Sequence, residues 1–180
     1  MKILKEIIST GCYLLVVLCL TYLMITFVGQ RTEVNGESME PTLSNGDNLI
    51  VDKITYRFND PERYDIIVFP FKYAENTYYI KRIIGLPGET VEIDEAGVIY
   101  IDGEPLLESY GREVISAGQL GSVTYPVNLE DDEYFVMGDN RNNSMDSREV
   151  IVGNIHREDI IGRAWLRIWP LDTIGILEHQ

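Results

Sequence analysis

The sequence predicts a mainly β domain behind a single N-terminal transmembrane helix. Three observations carry this reading. One long uncharged apolar run lies near the N-terminus, short β-branched and aromatic runs follow it, and Gly, Pro, Asn and Asp separate those runs.

The helix comes first. The stretch "IISTGCYLLVVLCLTYLMITFV", Ile7 to Val28, is 22 residues without a charge. At 1.5 Å rise per residue it is long enough for a hydrocarbon core of about 30 Å. It is longer than the apolar core of a cleavable leader, and no small-x-small motif follows it, so it reads as an uncleaved anchor. Lys2 and Lys5 precede the span, partly offset by Glu6, and Arg31 follows it. The positive-inside rule then leaves residues 1–6 in the cytoplasm and residues 29–180 outside a cell membrane.

The outer part is acidic. Setting aside the first 28 residues, with their two lysines and one glutamate, leaves 13 basic against 28 acidic side chains, a net charge of −15. This argues against a nucleic-acid partner, which needs clustered positive charge. Both cysteines, Cys12 and Cys19, fall inside the span, so the outer domain has neither a disulfide nor a thiol nucleophile.

The strands come next. "NLIVDKITY", "YDIIVFPF", "TYYIKRIIG", "TVEI", "GVIYIDG", "EYFVMG" and "DIIGRAWLRIWPL" have the length and β-branched content of strands. "TVEIDEAGVIYIDG" reads as a hairpin with Asp94 to Gly97 as its loop. Residues 104–132, with weak periodicity, read as the most variable loop region.

The chemistry is narrowed by elimination. Only two histidines exist, His156 and the penultimate His179, which leaves little for a Ser-His-Asp triad or a metal site. "GDNRNNSMDSRE" has the look of an acidic calcium loop. Arg141 occupies a ligand position, however, the bend lacks its glycine, and Val150 stands where a bidentate Glu belongs. No metal and no cofactor are expected. A base other than histidine remains, and Lys81 is the candidate. In an extended strand Tyr79, Lys81 and Ile83 share one face, with Ile80, Arg82 and Ile84 on the other. An ammonium among apolar neighbours loses solvation, which lowers its pKa toward neutrality and lets it accept a serine proton. The plainer readings are a lysine that snorkels to water and, at Ser38, a turn serine beside proline.

Four boxes in order behind the anchor carry a resemblance over nearly the whole chain. "SMEPTL" at 38–43, "YDIIVFPF" at 64–71, "KRIIGLPGE" at 81–89 and "GDNRNNSMDSR" at 138–148 resemble those of type I bacterial signal peptidases, the shorter Gram-positive kind. The resemblance implies an extracytoplasmic all-β protease domain with a Ser–Lys dyad: Ser38 as nucleophile and Lys81 as general base. It implies that Ser144 hydrogen-bonds and orients the lysine, and that Asp146 and Arg148 support the site, with Asp139 and Arg141 as further scaffold. Gly85, Pro87 and Gly88 would shape a turn after the lysine strand. Met39 would line the substrate pocket or serve as a core methionine. Gly36 stands where some members carry a serine that helps hold the oxyanion, which leaves backbone N–H groups, including that of Ser38, for this task.

The implied reaction is hydrolysis between a signal peptide and its mature protein, after small residues such as alanine. The expected partners are preprotein signal peptides and the lipid bilayer. Ten residues separate Val28 from Ser38, so the serine lies at most roughly 35 Å beyond the span, the region where signal peptides leave the bilayer. Trp165 and Trp169 either touch the membrane interface or pack in the core. The rival from another class is a catalytically silent, membrane-anchored β-domain that binds secretory proteins. Self-cleaving repressors share the Ser–Lys chemistry, but they lack an N-terminal span.

Overall fold

The computed structural model describes residues 2–23 and 29–178. Residues 24–28 of the expected span, and His179, lie outside the described residues. Helix α1 runs Lys2–Leu23. Its stretch Lys5–Leu23 has a mean hydropathy of 1.8 and no buried residue, and is long and apolar enough to cross a membrane. Leucine, isoleucine and valine side chains stand exposed all round it. In water such a surface is unfavourable by ~25 cal/mol per Å², so its natural solvent is apolar.

The rest is β structure in two antiparallel sheets. In chain order the strands are β1 Gly29–Glu33, β2 Asn48–Asp52, β3 Ile66–Pro70, β4 Tyr78–Gly85, β5 Thr90–Ile93 and β6 Ile99–Ile101. They continue with β7 Glu104–Pro105, β8 Val127–Asn128, β9 Glu133–Met137, β10 Ile155–His156, β11 Gly162–Trp169 and β12 Gly175–Ile176. The larger sheet is ordered β1-β2-β11-β3-β4-β9-β10, with β12 on β11, and the smaller is ordered β7-β6-β5-β8. Each apolar run of the sequence contributes a strand. The hairpin forms as expected, with β5 and β6 joined through Asp94–Gly97, where the Gly97 N–H donates to the Asp94 carbonyl (2.9 Å).

Three apolar clusters fill the interior, and β4 reaches all of them. Ile83 packs with Ile67, Phe69 and Val136. Ile84 packs with Val91, Phe135 and Met137, and Ile80 lies against Val34, Met39 and Leu43. The alternation of faces along β4 therefore holds, and the strand is anchored from several sides. Residues 104–132 are irregular but not loose, since Ile115 and Leu129 are buried in the second cluster.

One feature of the larger sheet positions the site. β4 pairs with β3 along Tyr78–Arg82, but with β9 only from Arg82 onward. Among the described residues, the other edge of Tyr78–Lys81 has no strand on it. β1 is likewise at the edge of its sheet. Both open edges border one cleft of about 530 Å³, which is lined by residues 32–39 from one side and 76–81 from the other.

Candidate active site

Ser38 and Lys81 meet at this cleft. Lys81 Nζ lies 2.7 Å from Ser38 Oγ and 3.0 Å from the carbonyl oxygen of Ile80. Ser38 is half-buried at the cleft wall, while Lys81 is only 4% exposed. The plainer reading of Lys81, a side chain that snorkels to water, is therefore excluded. Burial pushes the Lys81 pKa down to about 8; the Asp146 and Asp139 carboxylates pull it up, and Arg148 pushes it down. The ring of Tyr79, two residues earlier on the same face, lies 5.2 Å from Nζ.

Ser38 is held from the polar loop. The Asn140 N–H donates to the Ser38 carbonyl (3.0 Å), and the Asn140 side-chain amide donates to the Glu37 carbonyl (3.1 Å). Gly138 makes this approach possible. A Cβ built there would stand 2.3 Å from Ser144 Oγ and 2.4 Å from the Ser38 carbonyl oxygen. No side chain fits between the two boxes. Gly36, at φ +112°, turns the chain into the nucleophile box in a conformation that L side chains rarely adopt.

The other expected residues are brought together in two buried ion pairs and one half-buried one. Asp146 accepts from Arg148 Nε (2.8 Å) and Nη2 (2.9 Å), and from the Gly138 N–H (2.9 Å). Burial alone would raise the Asp146 pKa, but the Arg148 hydrogen bonds and charge outweigh it and the pKa is lowered. Arg148 also donates to the Gln119 carbonyl, which ties in the 104–132 segment. Asp139 takes both prongs of Arg82, at 2.9 and 2.8 Å, and the Thr42 hydroxyl at 2.5 Å. Arg141 reaches away from the dyad to Glu108 (2.6 Å).

One expectation is adjusted. Ser144 Oγ is buried without a hydrogen-bond partner of good geometry, so the expected bond from Ser144 to Lys81 is not formed. Ser144 instead packs on Gly138, near enough to Asp146 to help hold that carboxylate ionised. Met39 borders the cleft and is 2% exposed in the third apolar cluster.

Sequence reasoning missed Arg82, Thr42, Asn140 and Tyr79. Arg82 carried a signal: a charge on the face of β4 shared with Ile80 and Ile84 has to be paired if it is buried, and it is 1% exposed. Trp165 and Trp169 are 40% and 52% exposed, so neither is a core side chain.

A serine hydroxyl beside a dehydrated lysine, in a cleft with open strand edges, is an arrangement chemically suited to hydrolysis of an extended peptide. Comparison with known proteins narrows the class. Residues 6–169 match the family described as signal peptidase, peptidase S26. A probable signal peptidase I-2 of Synechocystis sp. is 44% identical, over 84% of this chain and 68% of its own. A signal peptidase I of Leptolyngbya laminosa is 45% identical, over 84% and 74%. A signal peptidase I P of Bacillus subtilis subsp. natto is 38% identical, over 89% and 88%. The chain belongs to the signal peptidase family, peptidase S26. It is a serine endopeptidase, and its activity is that of a signal peptidase I.

Proposed function

We propose that this peptidase is anchored by residues 7–28 with its N-terminus in the cytoplasm, and that residues 29–180 cut signal peptides from preproteins outside the membrane with a Ser38–Lys81 dyad. The 2.7 Å contact between Lys81 Nζ and Ser38 Oγ carries this reading. With Lys81 neutral, its lone pair accepts the hydroxyl proton as Oγ attacks the scissile carbonyl. The carbonyl becomes a tetrahedral oxyanion, and the Ser38 N–H is the donor on hand to stabilise it. Collapse forms an ester to Ser38, and the protonated Lys81 supplies the proton to the leaving amine of the mature protein. Water then gives a proton to neutral Lys81 as it attacks the ester, and the protonated Lys81 returns that proton to Ser38 Oγ as the signal peptide leaves as its carboxylate.

Substrate would lie extended between the open edges of β1 and β4, with alternate side chains turned into the cleft. Asp146, Arg148, Asp139 and Arg141 act at one remove. Their ion pairs hold the polar loop, and the loop holds Ser38 through Asn140.

The test is cleavage of a preprotein with an Ala-x-Ala site by the full-length protein in detergent, beside Ser38→Ala and Lys81→Ala, with sequencing of the new N-terminus. Cutting after the second alanine by the wild type alone is expected. Equal cutting by all three would assign the nucleophile elsewhere. No cutting by any folded sample would favour the silent binding domain.

A further inference from the structure

Most cations of the acidic outer domain have a carboxylate partner. Arg63, Lys72, Arg82, Arg112, Arg141, Arg148, Arg157, Arg163 and Arg167 each have a carboxylate within ion-pair distance. Besides Lys81 of the cleft, Arg31 and Lys53 have none among the described residues, although this part of the chain carries 28 acidic side chains against 13 basic ones. Among the described residues, Arg31 donates to the Asn48 side-chain carbonyl alone.

These two cations share a cavity of about 410 Å³. Its lining has no carboxylate. Gln30 and the Tyr78 ring join Arg31 and Lys53 there, over a floor that includes Val68 and Ile161. Two cations and an amide above an apolar floor suit an amphiphile whose head is a phosphodiester and whose next atoms are hydrocarbon.

Strand register says at what depth this cavity lies. Gly29 is opposite Asp52 in the β1–β2 ladder, and Lys53 follows Asp52 directly. Gly29 is the first residue after the uncharged run in the sequence, and Arg31 comes two residues later. Both cations are therefore within about 10 Å of Gly29, at roughly 3.3 Å per residue. The headgroup layer beyond a hydrocarbon core of about 30 Å is itself about 5–7 Å deep on each side.

We infer that Arg31 and Lys53 form a binding site for a phospholipid headgroup phosphate at the outer membrane surface, next to the catalytic cleft. The inference rests on reading residues 7–28 as the span. The site shares Thr32 and Tyr78 with the cleft that holds Ser38. A bound headgroup there fixes the height of the cleft above the bilayer. It also gives a strongly acidic domain one attractive contact with the leaflet.

The test uses the full-length protein in neutral detergent, with retained lipid counted by native mass spectrometry. Dioleoylphosphatidylglycerol, dioleoylphosphatidylcholine and dioleoylglycerol are added separately. The two phospholipids are expected to be retained and dioleoylglycerol, which lacks the phosphate, is not. Lys53→Gln is expected to weaken retention about fivefold, and Arg31→Gln with Lys53→Glu by twentyfold or more, at about 1 kcal/mol per cation. Lys72→Glu, which removes a cation outside this cavity, leaves retention unchanged. Lys53→Gln is a mild change at a partly exposed position, so its result stands even if the double variant fails to fold. Equal retention by the wild type and Lys53→Gln, or of all three lipids, would overturn the inference. Displacement of the phospholipid by millimolar inorganic phosphate would assign the site to free phosphate instead. The groove would belong to substrate if Lys53→Gln instead changed the choice between peptides with Asp or Lys five to seven residues before the cut. Extraction of the protein from membranes by alkaline carbonate would defeat the span reading separately.

Discussion

Lys81 Nζ and Ser38 Oγ stand 2.7 Å apart although their residues are separated by 43 positions, and the lysine that makes this contact is almost wholly removed from water. In the proposed mechanism, dehydration sets the working range of Lys81 as the base. With the Lys81 pKa at about 8, a fraction of the amine is neutral at pH 7, where an ordinary lysine of pKa 10.5 would be almost entirely charged.

The pH dependence follows from this value. The proposed mechanism requires neutral Lys81, so kcat/KM is expected to fall about tenfold per pH unit below pH 8 and to level off above it. A peptide with an Ala-x-Ala site, assayed from pH 5.5 to 9.5, gives the profile. A flat profile would remove Lys81 as the base.

The same dehydration has a cost in stability. The folded protein holds Lys81 at about 8 and the unfolded chain holds it at 10.5, so folding is penalised while both states are protonated. The penalty is complete below pH 8, about 3 kcal/mol, and fades as pH rises through 10.5. Lys81→Met is expected to be inactive yet to melt higher than the wild type at pH 7, with the gap closing by pH 10.5. Thermal unfolding of the two proteins at both pH values is the measurement. A less stable Met variant at pH 7, or a gap independent of pH, would show that the lysine is better solvated than its burial implies.

These properties were legible in part from the sequence. β3, β4, β9 and β11 announced themselves through Ile, Val, Tyr and Phe, because strands that face the core must be apolar. β1 did not: "GQRTE" is polar, mostly exposed, and a strand only because β2 offers it a ladder. The alternation along β4 gave Lys81 an apolar setting, whereas its meeting with Ser38 needs the tertiary fold. The partners of Arg82 and Arg141, Asp139 and Glu108, are 57 and 33 residues away, and no local pattern encodes such pairing. Residues 104–132 lack periodicity because they are held by single contacts, such as Arg148 to the Gln119 carbonyl, and not by a repeated face.

Gly138 offers a direct test of how closely the polar loop must approach the nucleophile. The added Cβ in Gly138→Ala collides with Ser144 Oγ and with the Ser38 carbonyl, so one box has to move. A displacement of the order of 1 Å at a reacting group costs about 10²-fold in rate. Single-turnover cleavage is therefore expected to slow about a hundredfold, with substrate affinity changed much less. Activity within twofold of the wild type would mean that Ser38 is held by other contacts.

The Arg82–Asp139 pair separates stability from positioning. Both side chains are buried, at 1% and 0% exposure, and the pair is bidentate. Asp139→Asn leaves the Arg82 charge without its partner and is expected to cost about 3–5 kcal/mol. That is a melting temperature lower by about 6–20 °C in a domain of this size. Replacing both, as Arg82→Met with Asp139→Leu, removes the stranded charge and is expected to recover much of that stability, since apolar isosteres often match a buried pair. Activity is not expected to return with it. Asp139 also takes the Thr42 hydroxyl from the nucleophile box, and Arg82 adjoins Lys81 in β4, so the pair links three segments that must be in register. Melting curves and kcat measured on the same samples decide the matter. If the double variant recovers both quantities, the pair is a stabilising element alone, and the register of Ser38 with Lys81 is set by Asn140 and Gly138.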